Sequence, residues 1–258
     1  MKKVVSMSRR TDMRWHANEL IQILQKKYPP ERVHTIICWT KFPDAIFTPP
    51  FRDVLKHYDQ IYVQLTITGF GGSPIEPNVP HWQTAIEQIP ELIKFTGSPA
   101  RIGLRPDPLV ALKRGNSRII TNIELVESII ARAAQMGIKT FSTSFMEEYP
   151  KVKKRLYRHG FEIISIPQDK RKKIINQYNE IAAGFSGHVY PCCVPGFSPS
   201  ACIDGQLLIK LHPRSEPCST KQAKGQRRHC ECTESVDIGW YAMKCKSGCL
   251  YCYANTEG

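Results

Sequence analysis

Ile61-Tyr62-Val63-Gln64-Leu65-Thr66-Ile67-Thr68 alternates without a break. Successive side chains of a strand point to opposite faces, so Ile61, Val63, Leu65 and Ile67 share one face and Tyr62, Gln64, Thr66 and Thr68 the other. Gly69, Gly71 and Gly72 follow, and Pro80 then opens a helix predicted to run to about Phe95. The same strand-then-helix unit recurs on both sides. Upstream, the strand Val4–Ser8 leads to the helix Ala17–Lys27, and His34–Thr40 leads to Phe51–His57. Downstream, Arg101–Arg105 precedes a helix capped by Thr121 and stopped at Gly137. Ile138–Phe145 precedes Pro150–His159, and a sixth strand, Phe161–Ile166, precedes a helix near Lys170–Ala183. Serial βα units imply a parallel α/β sheet with right-handed crossovers. Six of them predict a complete or partial TIM-like (β/α) barrel over residues 1–184, with a doubly wound open sheet as the alternative.

The predicted strand ends carry the polar residues. The first ends in Ser8-Arg9-Arg10-Thr11-Asp12, the second in Trp39-Thr40-Lys41, and the fourth in Arg105-Pro106-Asp107. The third offers Gln64 and Thr66, the fifth Ser142 and Ser144. In a parallel barrel these C-terminal ends converge on one mouth, where sites are built. Each residue also has a structural reading: Asp12 as an N-cap, Arg105 and Asp107 as an ion pair. Together they describe a polar, basic pocket for an anionic or polar ligand.

After Gly184 the regularity fades, apart from a predicted short strand at Gly205–Leu211, and nine of the ten cysteines lie between Cys192 and Cys252. This segment, 185–258, is expected to pack as a cysteine-rich tail at the barrel mouth. It ends in Cys245-x3-Cys249-x2-Cys252. Three thiolates on one tight loop suit three irons of a cubane and leave the fourth iron open to a small ligand. Zinc is the competing reading, but zinc sites usually pair their ligands and close at four. Upstream, Cys230 and Cys232 with Cys193 and Cys202 would close a four-thiolate site; Cys192 and Cys218 are the substitutes. Such a site suits a second 4Fe–4S cluster or zinc. Cys38 reads as a small core residue. The histidines show no ligand spacing, and only His229, beside Cys230, stands near a candidate site.

The 258 residues carry 36 Lys and Arg against 23 Asp and Glu, a net charge of +13. That favours phosphate-bearing partners, nucleic acid included, although it also serves solubility. No apolar run reaches a membrane span, and Arg9 and Arg10 interrupt any export signal, so the chain reads as cytoplasmic. A reducing compartment turns ten cysteines toward metal rather than disulfides.

Several segments now combine. Ala201-Cys202-Ile203-Asp204-Gly205, Lys224-Gly225-Gln226-Arg227-Arg228-His229-Cys230-Glu231-Cys232, Ser235-Val236-Asp237-Ile238-Gly239 and Gly248-Cys249-Leu250-Tyr251-Cys252-Tyr253-Ala254-Asn255 resemble the family called domain of unknown function 1848. Ser8–Asp12, Trp39-Thr40-Lys41, Gln64–Thr68, Ile75-Glu76-Pro77-Asn78 and Asp107-Pro108 agree with it. Met13-Arg14-Trp15 and Pro106 depart from it. The family name supplies no activity. Gly248 to Tyr253 is also similar to the cluster loop of radical S-adenosylmethionine enzymes of the spore photoproduct lyase type. That resemblance implies reductive cleavage of S-adenosylmethionine and hydrogen abstraction from a small-molecule or nucleotide-type substrate. It also implies a reductant such as ferredoxin or flavodoxin. In those enzymes the loop follows the first barrel strand. Here the tail would have to carry it back over the mouth, and Gly69–Gly72 with Glu76 is the nearest counterpart of their glycine-rich cofactor strand. The competing classes are a zinc- or cluster-stabilised nucleic-acid-binding module and an iron–sulfur electron-transfer protein.

Overall fold

The computed structural model describes residues 1–116 and 118–254. In chain order the elements begin β1 (Lys3–Met7), α1 (Ala17–Lys27), β2 (Val33–Thr40), α2 (Asp44–Phe47), α3 (Phe51–Leu55), β3 (Ile61–Thr66), α4 (Trp82–Glu87), α5 (Ile89–Thr96) and β4 (Ile102–Arg105). They continue β5 (Ala111–Arg114), β6 (Ile120–Thr121), α6 (Ile123–Gln135), β7 (Thr140–Thr143), α7 (Pro150–Arg158), β8 (Phe161–Ile163) and α8 (Gln168–Ala183). The last three are β9 (His188–Pro191), α9 (Gly205–Leu211) and β10 (Val236–Ile238).

Seven strands form one parallel sheet in the order β10-β1-β2-β3-β4-β7-β9. From β1 the chain steps in one direction to β9, and β10 returns beside β1. Among the described residues no ladder joins β9 to β10, so this sheet is open and a closed barrel is not what the pairing shows. The alternation of β3 is realised as read. Ile61, Val63, Leu65 and Ile67 join the main core with Leu20, Leu24, Leu55, Ile86 and Ile129 from the helices. Tyr62 faces the other way, into a second cluster with Ile203, Leu208, Cys218, Cys230 and Cys232. Apolar burial at about 25 cal/mol per Å² thus ties the tail to one face of the sheet and the helices to the other.

Three predicted elements are corrected. Phe161–Ile166 is not a sixth parallel strand: β8 pairs antiparallel with β5 in a separate three-stranded sheet with β6. The sixth place in the parallel run belongs to β9, whose four residues carry too little pattern to announce a strand. Gly205–Leu211 is a helix rather than a strand, because the Asp204 carboxylate caps it by accepting from the amides of Gln206 and Leu207. The helix predicted from Pro80 to Phe95 is two helices, with Pro90 in the first turn of the second. No helix among the described residues is long and apolar enough to cross a membrane.

Candidate functional site

A cleft of about 600 Å³ opens where the parallel strands end, and both cysteine groups face it. Its lining includes Arg9, Arg10, Asp12, Thr40, Lys41, Thr66, Arg105, Asp107 and Ser144, together with Cys192, Cys202, Cys230, Cys232, Cys245, Cys249 and Cys252.

The three-cysteine loop is held by the segments that follow β1, β2 and β3. Trp15 donates its indole N–H to Ser247 Oγ at 3.0 Å, and the Tyr253 hydroxyl donates to the Arg9 carbonyl at 3.1 Å. Lys41, one residue past β2, donates to the Tyr251 hydroxyl at 3.0 Å. Past β3, Asn78 donates to the carbonyls of Ser247 and Lys246, and the Ile75 carbonyl accepts from the Leu250 amide. Gly248 turns the chain at φ +70°, and a Cβ there would stand 2.9 Å from Pro77 Cγ, so the turn admits only glycine without strain. Arg155 of α7 closes the back of the loop. Its guanidinium donates to the carbonyls of Cys249, Leu250 and Cys252, the last at 2.7 Å. Phe70, Ile75, Val152 and Leu156 seat the loop's apolar side against Cys249, Leu250 and Tyr251.

Under the loop lies a buried ion pair. Lys41 Nζ is 2.8 Å from Glu76 Oε1, and Thr68 donates to Glu76 Oε2 at 2.8 Å. Burial opposes the Lys41 charge, but Glu76 and the neighbouring Cys249 sulfur outweigh it and raise its pKa. Burial pushes the Cys249 and Cys252 thiols up. Isolated thiolates are therefore disfavoured there, and a cation that binds them supplies the missing stabilisation. Gly71 and Gly72 serve packing: a Cβ on Gly71 would overlap the Pro80 carbonyl, and one on Gly72 would meet the His81 ring.

The upstream cysteines gather at the end of β9. Cys192 Sγ lies 3.9 Å from Cys193 Sγ and 4.0 Å from Cys202 Sγ. The Cys202 amide donates to Cys232 Sγ at 3.2 Å. Arg105 donates to Cys202 Sγ at 3.1 Å, Ser142 Oγ is 3.6 Å from the same sulfur, and Arg227 donates to Cys192 Sγ at 3.6 Å. Hydrogen bonds from Cys192 and Cys232, with the Arg105 charge, hold the Cys202 thiol well below its ordinary value. The same bond to Cys202, with burial, moves Cys192 up. Cys193 sits in the left-handed region at φ +55°, a strained position for a residue with a Cβ. Cys218 is not part of this group: it donates to the Gly205 carbonyl and packs under α9. Cys192 is the substitute that the structure brings in.

The family profile described as Domain of unknown function (DUF1848) matches residues 15–254. The chain belongs to the DUF1848 family. No curated protein and no solved structure matches it.

The DUF1848 motifs divide by what they hold. Ile75-Glu76-Pro77-Asn78 and Trp39-Thr40-Lys41 support the three-cysteine loop from below. Asp12 takes the N-cap role, accepting from the Arg14 amide, and also ties β1 to β2 by accepting from Thr40 Oγ1 and the Lys41 amide. Arg105 and Asp107 form the ion pair, and Ser144 donates to Asp107. Gln64 and Ser142 do not line the cleft: Gln64 donates to the Cys202 carbonyl and Ser142 meets the Cys202 sulfur. Trp39 is stacked by two guanidiniums, Arg9 at 5.2 Å and Arg105 at 4.8 Å from its ring centre. Arg9 and Arg10 also share Asp237, at 3.8 and 3.2 Å. His229 is exposed, and Asn255, the last residue of the final motif, lies outside the described residues. Two departures from the family have uses here: Trp15 holds Ser247 and Arg14 pairs with Asp44. Sequence reasoning missed Arg155, Arg227 and Tyr251. Arg155 lies on a helix whose lysines and arginines read as a solvated face, so nothing in the pattern marks it.

Proposed function

We propose that this DUF1848 protein is an iron–sulfur enzyme of the radical S-adenosylmethionine class. In this reading Cys245, Cys249 and Cys252 hold an open 4Fe–4S cluster. Cys193, Cys202, Cys230 and Cys232 hold a second, with Cys192 available in place of Cys193. One observation carries the reading: the last loop of the chain is seated over the ends of β1, β2 and β3, with its cysteines in the cleft that the strand ends line. The permuted connection therefore delivers a three-cysteine loop to the mouth of a parallel sheet. We read that open sheet, with the tail on its inner face, as a partial barrel.

The donor chemistry supports iron over zinc at this loop. Tetrahedral zinc with bonds near 2.3 Å would bring its sulfurs about 3.8 Å apart. Among the described residues the three ligand atoms within 4.8 Å of one another belong to Asp59, His212 and Glu216. Cys245, Cys249 and Cys252 do not form such a group, so at least one pair of the loop's sulfurs lies more than 4.8 Å apart, wider than tetrahedral zinc would hold it. A cluster at this loop would supply the electron that cleaves S-adenosylmethionine to methionine and a 5′-deoxyadenosyl radical. The chain's own groups position and select. Arg9, Arg10 and Arg105 offer guanidiniums to a carboxylate or phosphate. Lys41 and Glu76 brace the loop, and Arg155 fixes its carbonyls. The ten free thiols and this chemistry fit a cytoplasmic protein served by ferredoxin or flavodoxin.

The test is anaerobic purification, reconstitution with iron and sulfide, reduction, and assay of S-adenosylmethionine for 5′-deoxyadenosine. Formation of 5′-deoxyadenosine that is lost in Cys249→Ser is the expected result. A fully loaded protein that makes none would overturn the reading.

A further inference from the structure

Tyr149, Tyr241 and Tyr253 are all exposed, between 39% and 45%, and all line the cleft. They come from three distant segments: the residue before α7, the loop after β10, and the end of the three-cysteine loop. The Tyr149 and Tyr253 rings are 6.4 Å apart. Tyr241 faces two cations, Arg10 at 5.3 Å and Lys151 at 5.6 Å from its ring centre. From this rim α7 continues with exposed Lys154 and Arg158 and with Lys153, which pairs with Glu148 at 2.8 Å; Lys224 and Arg228 are exposed beside the cleft-lining Arg227, which pairs with Glu147 at 3.3 Å.

We propose that this rim binds single-stranded nucleic acid, with bases stacked on the tyrosines and phosphates along α7 and the 224–228 loop. A further clause rests on the function proposed above: a nucleotide of that strand is the group presented to the cysteine sites.

Exposed rings beside exposed cations are the two features that single strands need. Each base offers a flat face, and stacking on an aromatic ring contributes about 1–3 kcal/mol per base. Each phosphate is neutralised by a lysine or arginine. The alternatives fit less well. A small anion would use the inner arginines and leave the outer rings idle. A duplex keeps its bases stacked internally and offers the tyrosines nothing. A protein partner would favour a lysine-poor patch, whereas this one is lysine-rich.

The experiment is fluorescence anisotropy on the full chain, without iron and after reconstitution. The probes are a labelled single-stranded RNA, the single-stranded DNA of the same sequence, and the DNA duplex. Wild-type protein is expected to bind at least one single strand more tightly than the duplex, and to weaken steeply between about 50 and 200 mM salt. Tyr149→Ala and Tyr241→Ala should each weaken that binding about tenfold, in line with the loss of one stacking platform. Phe185→Ala, an exposed aromatic outside the cleft, should leave it unchanged. The RNA and DNA arms report which sugar is preferred. No single-strand binding at low salt overturns the proposal. So does equal binding of the duplex with no effect of the tyrosine variants, which would mark charge alone. Binding by iron-free protein is scored independently of 5′-deoxyadenosine formation, so either reading can fail without the other.

Discussion

Lys41 is the residue on which the site's lower layer turns. Its charge is buried against Glu76, and breaking a buried pair leaves the partner uncompensated, at about 3–5 kcal/mol. Lys41→Met is therefore expected to destabilise by about that much in urea unfolding. The double variant Lys41→Met with Glu76→Gln should recover a large part, because no orphaned charge remains. Equal losses in the single and double variants would contradict the pairing. Arg155 tests the upper layer. Hydrogen bonds from a charged donor contribute about 1.5–3 kcal/mol, and Arg155 makes them to the loop carbonyls of Cys249, Leu250 and Cys252. Arg155→Met should lower Tm by several degrees and, after reconstitution, reduce iron retained at the loop about 10- to 100-fold, as for other groups that orient metal ligands. Iron content by mass spectrometry checks the second part. Neither residue's role was legible in the sequence alone. Lys41 reads as a strand-end cation and Glu76 as a counterpart of a cofactor strand; their meeting depends on the segment after β3 turning back toward the end of β2.

At the scale of elements, α9 and the segment after it are fastened to the strands by a histidine stack. His34 in β2 and His212 after α9 have rings 4.4 Å apart, and His34 Nε2 lies 2.8 Å from the Glu216 carbonyl. Burial lowers the pKa of both, and the charge of His34 lowers that of His212 further. Lys2, Asp59, Arg214 and Glu216 surround them as a mixed ion network. Below the ordinary histidine value near 6.5 the unfolded chain takes up protons that these buried rings resist. Stability from this contact is thus complete above about pH 6.5 and declines as pH falls below it. Urea midpoints measured at pH 7.5 and 5.5 should differ in that direction, and the difference should shrink in His34→Gln. The regular βα units were legible because β1, β2 and β3 alternate or run β-branched and because α1, α5 and α6 end close to Pro29, Gly97 and Gly137. The elements after Gly184 were not. β9 and β10 are four and three residues long, and α9 owes its form to one carboxylate cap rather than to periodicity.

For the whole molecule, the consequence is that one cleft serves two cysteine groups. The composition marked the cysteine-rich tail, and the C-x3-C-x2-C spacing marked its final loop. Position in the chain hid the rest: the loop stands last in sequence yet sits above the first strands, and Cys192 rather than Cys218 joins the upstream group. Cys202→Ser is accordingly expected to reduce metal at the upstream site, whereas Cys218→Ser should leave it loaded, as read by iron and zinc content of anaerobically prepared protein. The basic charge, diffuse in the sequence, is concentrated by the fold partly along α7 and around the cleft, where exposed tyrosines from distant segments meet it.

The most direct test of the central claim is electron paramagnetic resonance of the reconstituted, reduced chain with and without S-adenosylmethionine. About eight irons per chain are expected, four for each cubane. The open cluster's reduced signal should change on adding S-adenosylmethionine, and in the Cys245→Ser, Cys249→Ser, Cys252→Ser triple variant it should be lost while that of the second cluster stays. A loaded cluster whose signal is indifferent to S-adenosylmethionine, or zinc held by those three cysteines in anaerobic protein, would contradict it.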